Sequence, residues 1–228
     1  MFGRTPGQPL MITSRSLEGA WDLAIRNIWT SGDKVTDQRG NKIREILNMV
    51  IHITGHYNDY PKDCPCGVRY GLDFTMGLIN TECAMAKAKE FDYSYGERIR
   101  RSNALDNVIA ILKAEPSSRT CVLPVFNSAD TGFAWARAAK VETPLNKEVP
   151  CVVTSKVILR NGLLHMVLDM RSNDVLTAMP SDIYGFRELQ QYIANQVGAK
   201  LGSFTHTVMS AHIIEENGTD FMENYMRR

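Results

Sequence analysis

Apolar residues recur along this chain at two periods, and the change from one to the other divides it into helices and strands. Leu17, Trp21, Ile25 and Ile28 share a face at helical spacing behind Ser16, a good capping residue, and the run closes near Gly32. Helices are predicted in the same way over Gly71 to Lys89, through Phe74, Leu78, Ile79 and Met85, and over Leu105, Val108, Ile109, Ile111 and Leu112, which Pro116 stops. A long helix carries Ile183, Phe186, Leu189, Ile193 and Val197. Strands are predicted over Ile46 to Thr54, Cys121 to Val125 and Gly202 to Ile214.

The strongest local signal lies in Pro150 to Asp182. Asn161-Gly162 separates two apolar runs, and both residues tolerate the positive φ of a type I′ turn, which predicts a hairpin. Its second arm ends in Met170-Arg171-Ser172-Asn173-Asp174. Elsewhere the pattern is weak. Asp33 to Lys42 reads as a polar loop around Arg39-Gly40, and Phe126 to Val149 as a long, mostly irregular segment. The tail ENGTDFMENYMRR has no strong pattern. Without an internal repeat, low-complexity tract or linker, the chain reads as a single α+β domain over 1–228.

Composition adds bounds rather than detail. The chain has 228 residues, 44% apolar and 22% charged, which is enough to bury a sizeable core in a soluble globular protein. A formal charge of +1 gives no bulk electrostatic hold on nucleic acid or membrane. No apolar run approaches the roughly 20 residues of a membrane helix. Met1 to Ser16 lacks the apolar centre of a signal peptide and reads as a short arm. Five cysteines without framework spacing lead us to expect a reduced, cytoplasmic setting.

The hairpin also carries candidate chemistry: a thiol, Cys151, on one arm, with Arg171, Ser172 and Asp174 at the far end of the other. A working thiolate needs nearby positive charge, and Arg171 can supply it while also binding a phosphate. Cys64-Pro65-Cys66, with His52 and His56 near, raises a metal question. The spacing is tighter than that of zinc sites and no second pair follows, so these read as loop thiols and no metal is expected. His52 reads as a satisfied core or interface histidine.

Pro150-Cys151, Arg171-Ser172-Asn173-Asp174 and Pro180-Ser181-Asp182 resemble the signature of the thymidylate synthase superfamily, and the chain is most similar to its short archaeal-type and phage members. The likeness extends in order through Asp37-Gln38-Arg39-Gly40, Tyr93-Ser94-Tyr95-Gly96, Pro116-Ser117-Ser118-Arg119 and Ser210-Ala211-His212. The resemblance implies a mixed β-sheet flanked by helices and a homodimer formed through the sheet face. It implies that Cys151 adds to C6 of a pyrimidine nucleotide, so that C5 attacks the one-carbon unit of 5,10-methylenetetrahydrofolate. Arg39, Arg171 and Ser172 would bind substrate, and Arg119 would cross the dimer interface to the partner's substrate phosphate. Tyr95 matches the active-site tyrosine, Asp174 falls within the catalytic signature, and His212 would bond the sugar 3′-hydroxyl. Glu82 is the best match to the family's proton-moving glutamate, with Glu90 and Asp73 as further candidates.

Four departures shape the expected activity. Thr120 replaces a second arginine, and Val152 stands where many synthases have histidine. Asp182 stands where uracil-specific members have asparagine. An ionised carboxylate only accepts hydrogen bonds, so it suits the 4-amino group of cytosine and repels the O4 of uracil. Asp182 can also serve as a helix cap. Ile214 replaces the tyrosine of the sugar-binding His-x-Tyr, which admits a ribonucleotide. The expectation is a cytidylate 5-hydroxymethylase acting on CMP, or dCMP, by hydration of the exocyclic methylene. The alternatives are an archaeal-type thymidylate synthase methylating dUMP and a non-catalytic nucleotide-binding member of the family.

Overall fold

In a computed structural model, which describes residues 7–55, 59–90, 92–141 and 148–228, the hydrophobic periods resolve into a mixed sheet with helices packed on it. Helix α1 (Leu17–Ser31) starts at Ser16, whose side chain accepts the Gly19 amide at 3.0 Å, and ends at Gly32. Its buried stripe is the expected Leu17, Trp21, Ile25 and Ile28, with Ala20 and Ala24 between.

Strand β3 (Lys42–Ile53) is longer than its apolar core suggested, because two strands share one of its edges. β1 (Leu10–Ser14) runs parallel to its second half, and β2 (Asp33–Thr36) antiparallel to its first. The predicted polar loop over Asp33 to Lys42 is therefore a hairpin. Asp37 closes it, its Oδ1 accepting the amides of Arg39 and Asn41 at 2.8 Å each. β2 escaped the sequence reading because Lys34, Val35 and Thr36 are all exposed, so no buried alternation marks the strand.

The single helix expected over Gly71 to Lys89 is two, α2 (Gly67–Ile79) and α3 (Thr81–Glu90). Asn80 separates them: its backbone is extended, and its Oδ1 accepts the amides of Glu82 and Cys83 at 2.8 and 3.1 Å. Next come α4 (Tyr95–Arg101), α5 (Ala104–Ala114) and β4 (Val122–Pro124). The segment expected to be irregular contains α6 (Ser128–Ala138), which opens on a reciprocal capping box between Asn127 and Asp130. Asp130 is fully buried and takes two bonds from Arg98 of α4, at 2.7 and 3.0 Å, which ties the two helices together.

The predicted hairpin is β5 (Val152–Arg160) and β6 (Leu163–Asp174), followed by α7 (Met179–Val197) and β7 (Lys200–Ile214). The tail, too, is ordered, as α8 (Glu215–Tyr225). Phe221 and Tyr225, one helical turn apart, stack at 5.4 Å and close over Trp21. Trp21 in turn donates from Nε1 to the Val175 carbonyl at 3.0 Å, so α1 and α8 together brace the turn that follows β6.

The strand order is β1-β3-β7-β6-β5-β4, with β6 and β7 parallel and β3 antiparallel to β7. Ile46, Ile51, Leu168 and Phe204 are fully buried in the core to which α1 and α7 also contribute. The alternating positions Val50, His52, Val167 and Thr205 are half-buried on the other face. There His52 Nδ1 lies 3.0 Å from Thr205 Oγ1, as expected of a satisfied histidine. Among the described residues no helix is long and apolar enough to cross a membrane, and no group of three His, Cys, Asp or Glu side chains is placed to hold a metal ion. His56 lies outside the described residues.

Candidate active site

The hairpin register sets the site. Asn161 and Gly162 take φ of 52° and 74°, the left-handed conformations a type I′ turn requires. A register shift between Val152 and Thr154 then brings Cys151 opposite Arg171, whose amide donates to the Cys151 carbonyl at 2.9 Å. The guanidinium folds back over the same segment. It donates to the carbonyls of Pro150 and Val149 at 3.0 and 2.8 Å, and one nitrogen lies 3.8 Å from the Cys151 sulfur.

Burial pushes the Cys151 thiol up; Arg171 pulls it down, Asp182 and Glu148 push it up again, and Arg39 opposes them. The net position is above that of an ordinary thiol, so Cys151 rests protonated beside a charge that would hold its thiolate.

Across the sheet, pairing places Asp174, His212 and Glu45 in one row over β6, β7 and β3, with Ser172 and Ser210 in the row two residues earlier. Ser210 donates to Glu45. These rows form the floor of a cavity of about 770 Å³, within the range of small-molecule sites. Arg39, Tyr95, Cys151 and Arg171 line it. So do Ser172, Asp174, Asp182 and His212, which means residues far apart in the chain converge on one cavity.

Two expected residues do not join them. Glu82 is exposed in the first turn of α3 and lies outside the cavity, because the break at Asn80 ends the helix that would have carried it inward. Asp73, on α2, and Asp92, just beyond α3, do line the cavity. The side chain of Glu90 lies outside the described residues. Arg119 is exposed in the turn before β4 and does not line this chain's cavity.

Other positions gain a physical explanation. Ser94 caps α4 through the Glu97 amide at 3.0 Å and donates to the Ala84 carbonyl at 2.9 Å. A Cβ on Gly96 would sit 1.7 Å from the Gly77 carbonyl oxygen, so Tyr95-Gly96 marks a place where two helix backbones touch. Tyr95 packs edge-on to Phe74 at 5.5 Å, and burial holds its hydroxyl well above the usual phenol range. Asp174 braces a turn: its carboxylate accepts the Leu176 amide at 3.0 Å and the Thr177 hydroxyl at 2.6 Å.

Asp182 is not a helix cap. The capping position of α7 is Ala178, and Asp182 lies within the first turn, 5% exposed, with its Oδ2 accepting from Asn173 Nδ2 at 2.7 Å. Burial raises its carboxyl to about 7, against the lowering by Asn173 and with a further push from Asp174. Two further participants are Glu148, outside every motif, and Asn173, which lies in the Arg171-to-Asp174 motif without an expected role of its own. Glu148 lines the rim and lies 3.7 Å from Arg39, and Asn173 supports Asp182 from below.

Residues 73–228 match the family model described as thymidylate synthase. A protein of Methanosarcina acetivorans, provisionally named thymidylate synthase, is 30% identical over 95% of this chain and 94% of its own length. A protein of Methanocaldococcus jannaschii with the same provisional name is 27% identical over 95% of this chain and 96% of its own. Among solved structures, the thermostable thymidylate synthase A of Bacillus subtilis superposes with a TM-score of 0.72 at 16% identity, covering 93% of this chain and 84% of that one. The mixed sheet flanked by helices is therefore the fold of that protein.

Proposed function

This chain belongs to the thymidylate synthase family, and from that premise we propose that it transfers a one-carbon unit to C5 of a pyrimidine nucleoside monophosphate. Cys151 is the nucleophile in this reading: adding its sulfur to C6 makes C5 electron-rich, and Arg171 stabilises the thiolate that attack requires. Arg39, Arg171 and Ser172 suit the nucleotide phosphate. The family's donor, 5,10-methylenetetrahydrofolate, supplies the one-carbon unit when bound, and the cavity wall of Tyr70, Phe74 and Leu78 suits its flat ring system.

Asp182 carries the finer reading. A buried side chain held by a single donor, lining the cavity without capping α7, suits a base-reading role. As a carboxylate it accepts from the 4-amino group of cytosine and repels O4 of uracil. The geometry thus supports a cytidylate 5-hydroxymethylase acting on CMP or dCMP. Ile214 at the cavity edge, which offers no hydroxyl to the sugar, favours CMP.

The relatives favour a second reading, thymidylate synthesis on dUMP, since that is the activity in their provisional names. It has a physical basis as well. A neutral carboxylic acid both donates and accepts, so the protonated form of Asp182 matches N3–H and O4 of uracil. A homodimer through the half-buried sheet face, carrying Arg119 to the partner's cavity, belongs to either reading.

The deciding experiment offers CMP, dCMP and dUMP separately with methylenetetrahydrofolate and weighs the products by mass spectrometry. A hydroxymethyl group on CMP or dCMP, with tetrahydrofolate released, supports the cytidylate reading. A methyl group on dUMP with dihydrofolate establishes the second. Absence of tritium release from C5-labelled nucleotides would show a binding protein without turnover.

A further inference from the structure

Beneath Asp182 lies a buried polar chain that the reading above leaves unused. The Asn173 amide gives its nitrogen to Asp182 Oδ2 at 2.7 Å, and its oxygen lies 3.2 Å from His206 Nε2. Asn173 is 2% exposed and His206 fully buried. The chain runs from β7 through β6 into α7, and Asp182 Oδ1 makes no hydrogen bond among the described residues.

A side-chain amide can turn over with almost no change of shape, exchanging its donor and acceptor ends, so its other partner decides which end faces Asp182. That partner is His206. Burial lowers it to about 4, against smaller opposing effects of the Leu168 backbone and Asp169, so the ring is neutral near pH 7 and carries one N–H.

We propose that His206 is a positioning residue for base selection: its Nε2–H holds the Asn173 amide with the nitrogen towards Asp182, which keeps Oδ2 as an acceptor and leaves Oδ1 to the nucleotide base. The inference rests on Asp182 reading the base. An amide nitrogen facing Asp182 favours the carboxylate, the form that selects cytosine. The reversed amide places an oxygen there and favours the neutral acid, which admits uracil. Asp174 from β6 also acts on Asp182, Asp182 in turn raises Cys151 just before β5, Tyr95 on α4 and Tyr70 on α2, and Asp169 from β6 acts on His206. Substituting His206 leaves all of them in place.

The test compares His206→Phe, which keeps a flat ring and removes the N–H, with His206→Gln, whose amide restores a donor. Asp182 is titrated through its carboxyl carbon shift in isotope-labelled protein, and kcat/KM for cytidylate is divided by that for dUMP across neutral pH. The expected result is that Phe raises the Asp182 titration by about one pH unit and cuts the ratio about tenfold, while Gln returns both towards native. An unshifted Asp182 in folded His206→Phe overturns the proposal. Should that variant not fold, the ring-nitrogen shifts of His206 in the native protein decide: a proton on Nε2 supports the proposal, and one on Nδ1 overturns it. Neither spectroscopic measurement depends on which nucleotide is turned over. A native enzyme active on dUMP alone would therefore sink the cytidylate reading and still leave the His206 link to be judged separately.

Discussion

Arg171 holds one guanidinium nitrogen 3.8 Å from the Cys151 sulfur, and its other bonds grip the carbonyls of Val149 and Pro150. The charge is thus fastened to the segment that carries the thiol, and the two move together. Burial is the largest influence on Cys151, and Arg171 is the largest one opposing it.

Removing that charge should leave a slower thiol. Arg171→Gln is expected to reduce iodoacetamide alkylation of Cys151 near neutral pH by roughly tenfold, the effect of about one pKa unit. The rate is read from the Cys151 peptide by mass spectrometry, since the chain holds four other free cysteines. Asp182→Asn removes a charge that raises Cys151, so the same assay should show faster alkylation. If Arg171→Gln reacted at the native rate, the guanidinium would not be what holds the thiolate.

Asp182→Asn should also change the base preference. An amide presents a donor and an acceptor together, the pattern that complements O4 and N3–H of uracil. Activity on cytidylate is expected to fall by roughly a hundredfold or more, and dUMP turnover to rise relative to it. Equal losses on both bases would mean that Asp182 supports the cavity without reading the nucleotide.

Gly96→Ala tests the contact that seats Tyr95. The new methyl group would meet the Gly77 carbonyl oxygen, a backbone atom that no rotamer change can move aside. Overpacking of this kind costs about 1–3 kcal/mol, and here the strain falls between α4 and α2 beside the cavity. Urea unfolding should show the loss of stability, and Tyr95 should shift with its helix. A native midpoint would show that the helices part without cost.

How much of this was legible in the sequence depends on whether a residue's signal was local. Ser16, Asn161-Gly162 and the long helix through Ile183 declare themselves by capping, turn chemistry and period, and the fold bears them out. β2 has no buried face, and α6 buries only Asp130 and Ala136, so apolar pattern could reveal neither. The signals that existed were polar: Asn127 with Asp130, and Asn80 ahead of Glu82. The second signal is what divides α2 from α3 and leaves Glu82 exposed in the first turn of α3. The site motifs were legible through resemblance, because Cys151, Arg171 and Asp182 sit in recognisable strings. Asn173 and His206 are joined only by folding, across 33 residues, and nothing local announces the pair.

That pair, with Asp182, should leave a mark on stability. Asp182 in the folded protein loses its proton near pH 7, against 3.8 ordinarily, so between those values the folded state keeps a proton that the unfolded chain has released. Its contribution is therefore present below about pH 4 and lost as pH rises towards 7. His206 behaves oppositely. Its folded value of about 4 lies below the ordinary 6.5, so its contribution is present above pH 6.5 and lost as pH falls towards 4. Each shift corresponds to roughly 3 to 4 kcal/mol, with opposite slopes that nearly cancel across the shared window. Denaturant unfolding of the native protein should vary little there from these two groups. Asp182→Asn should lose stability as pH falls through the window, and His206→Phe should lose it as pH rises. Parallel profiles for all three proteins would mean that neither group titrates as a buried one, and the polar chain beneath the cavity would lose its physical basis.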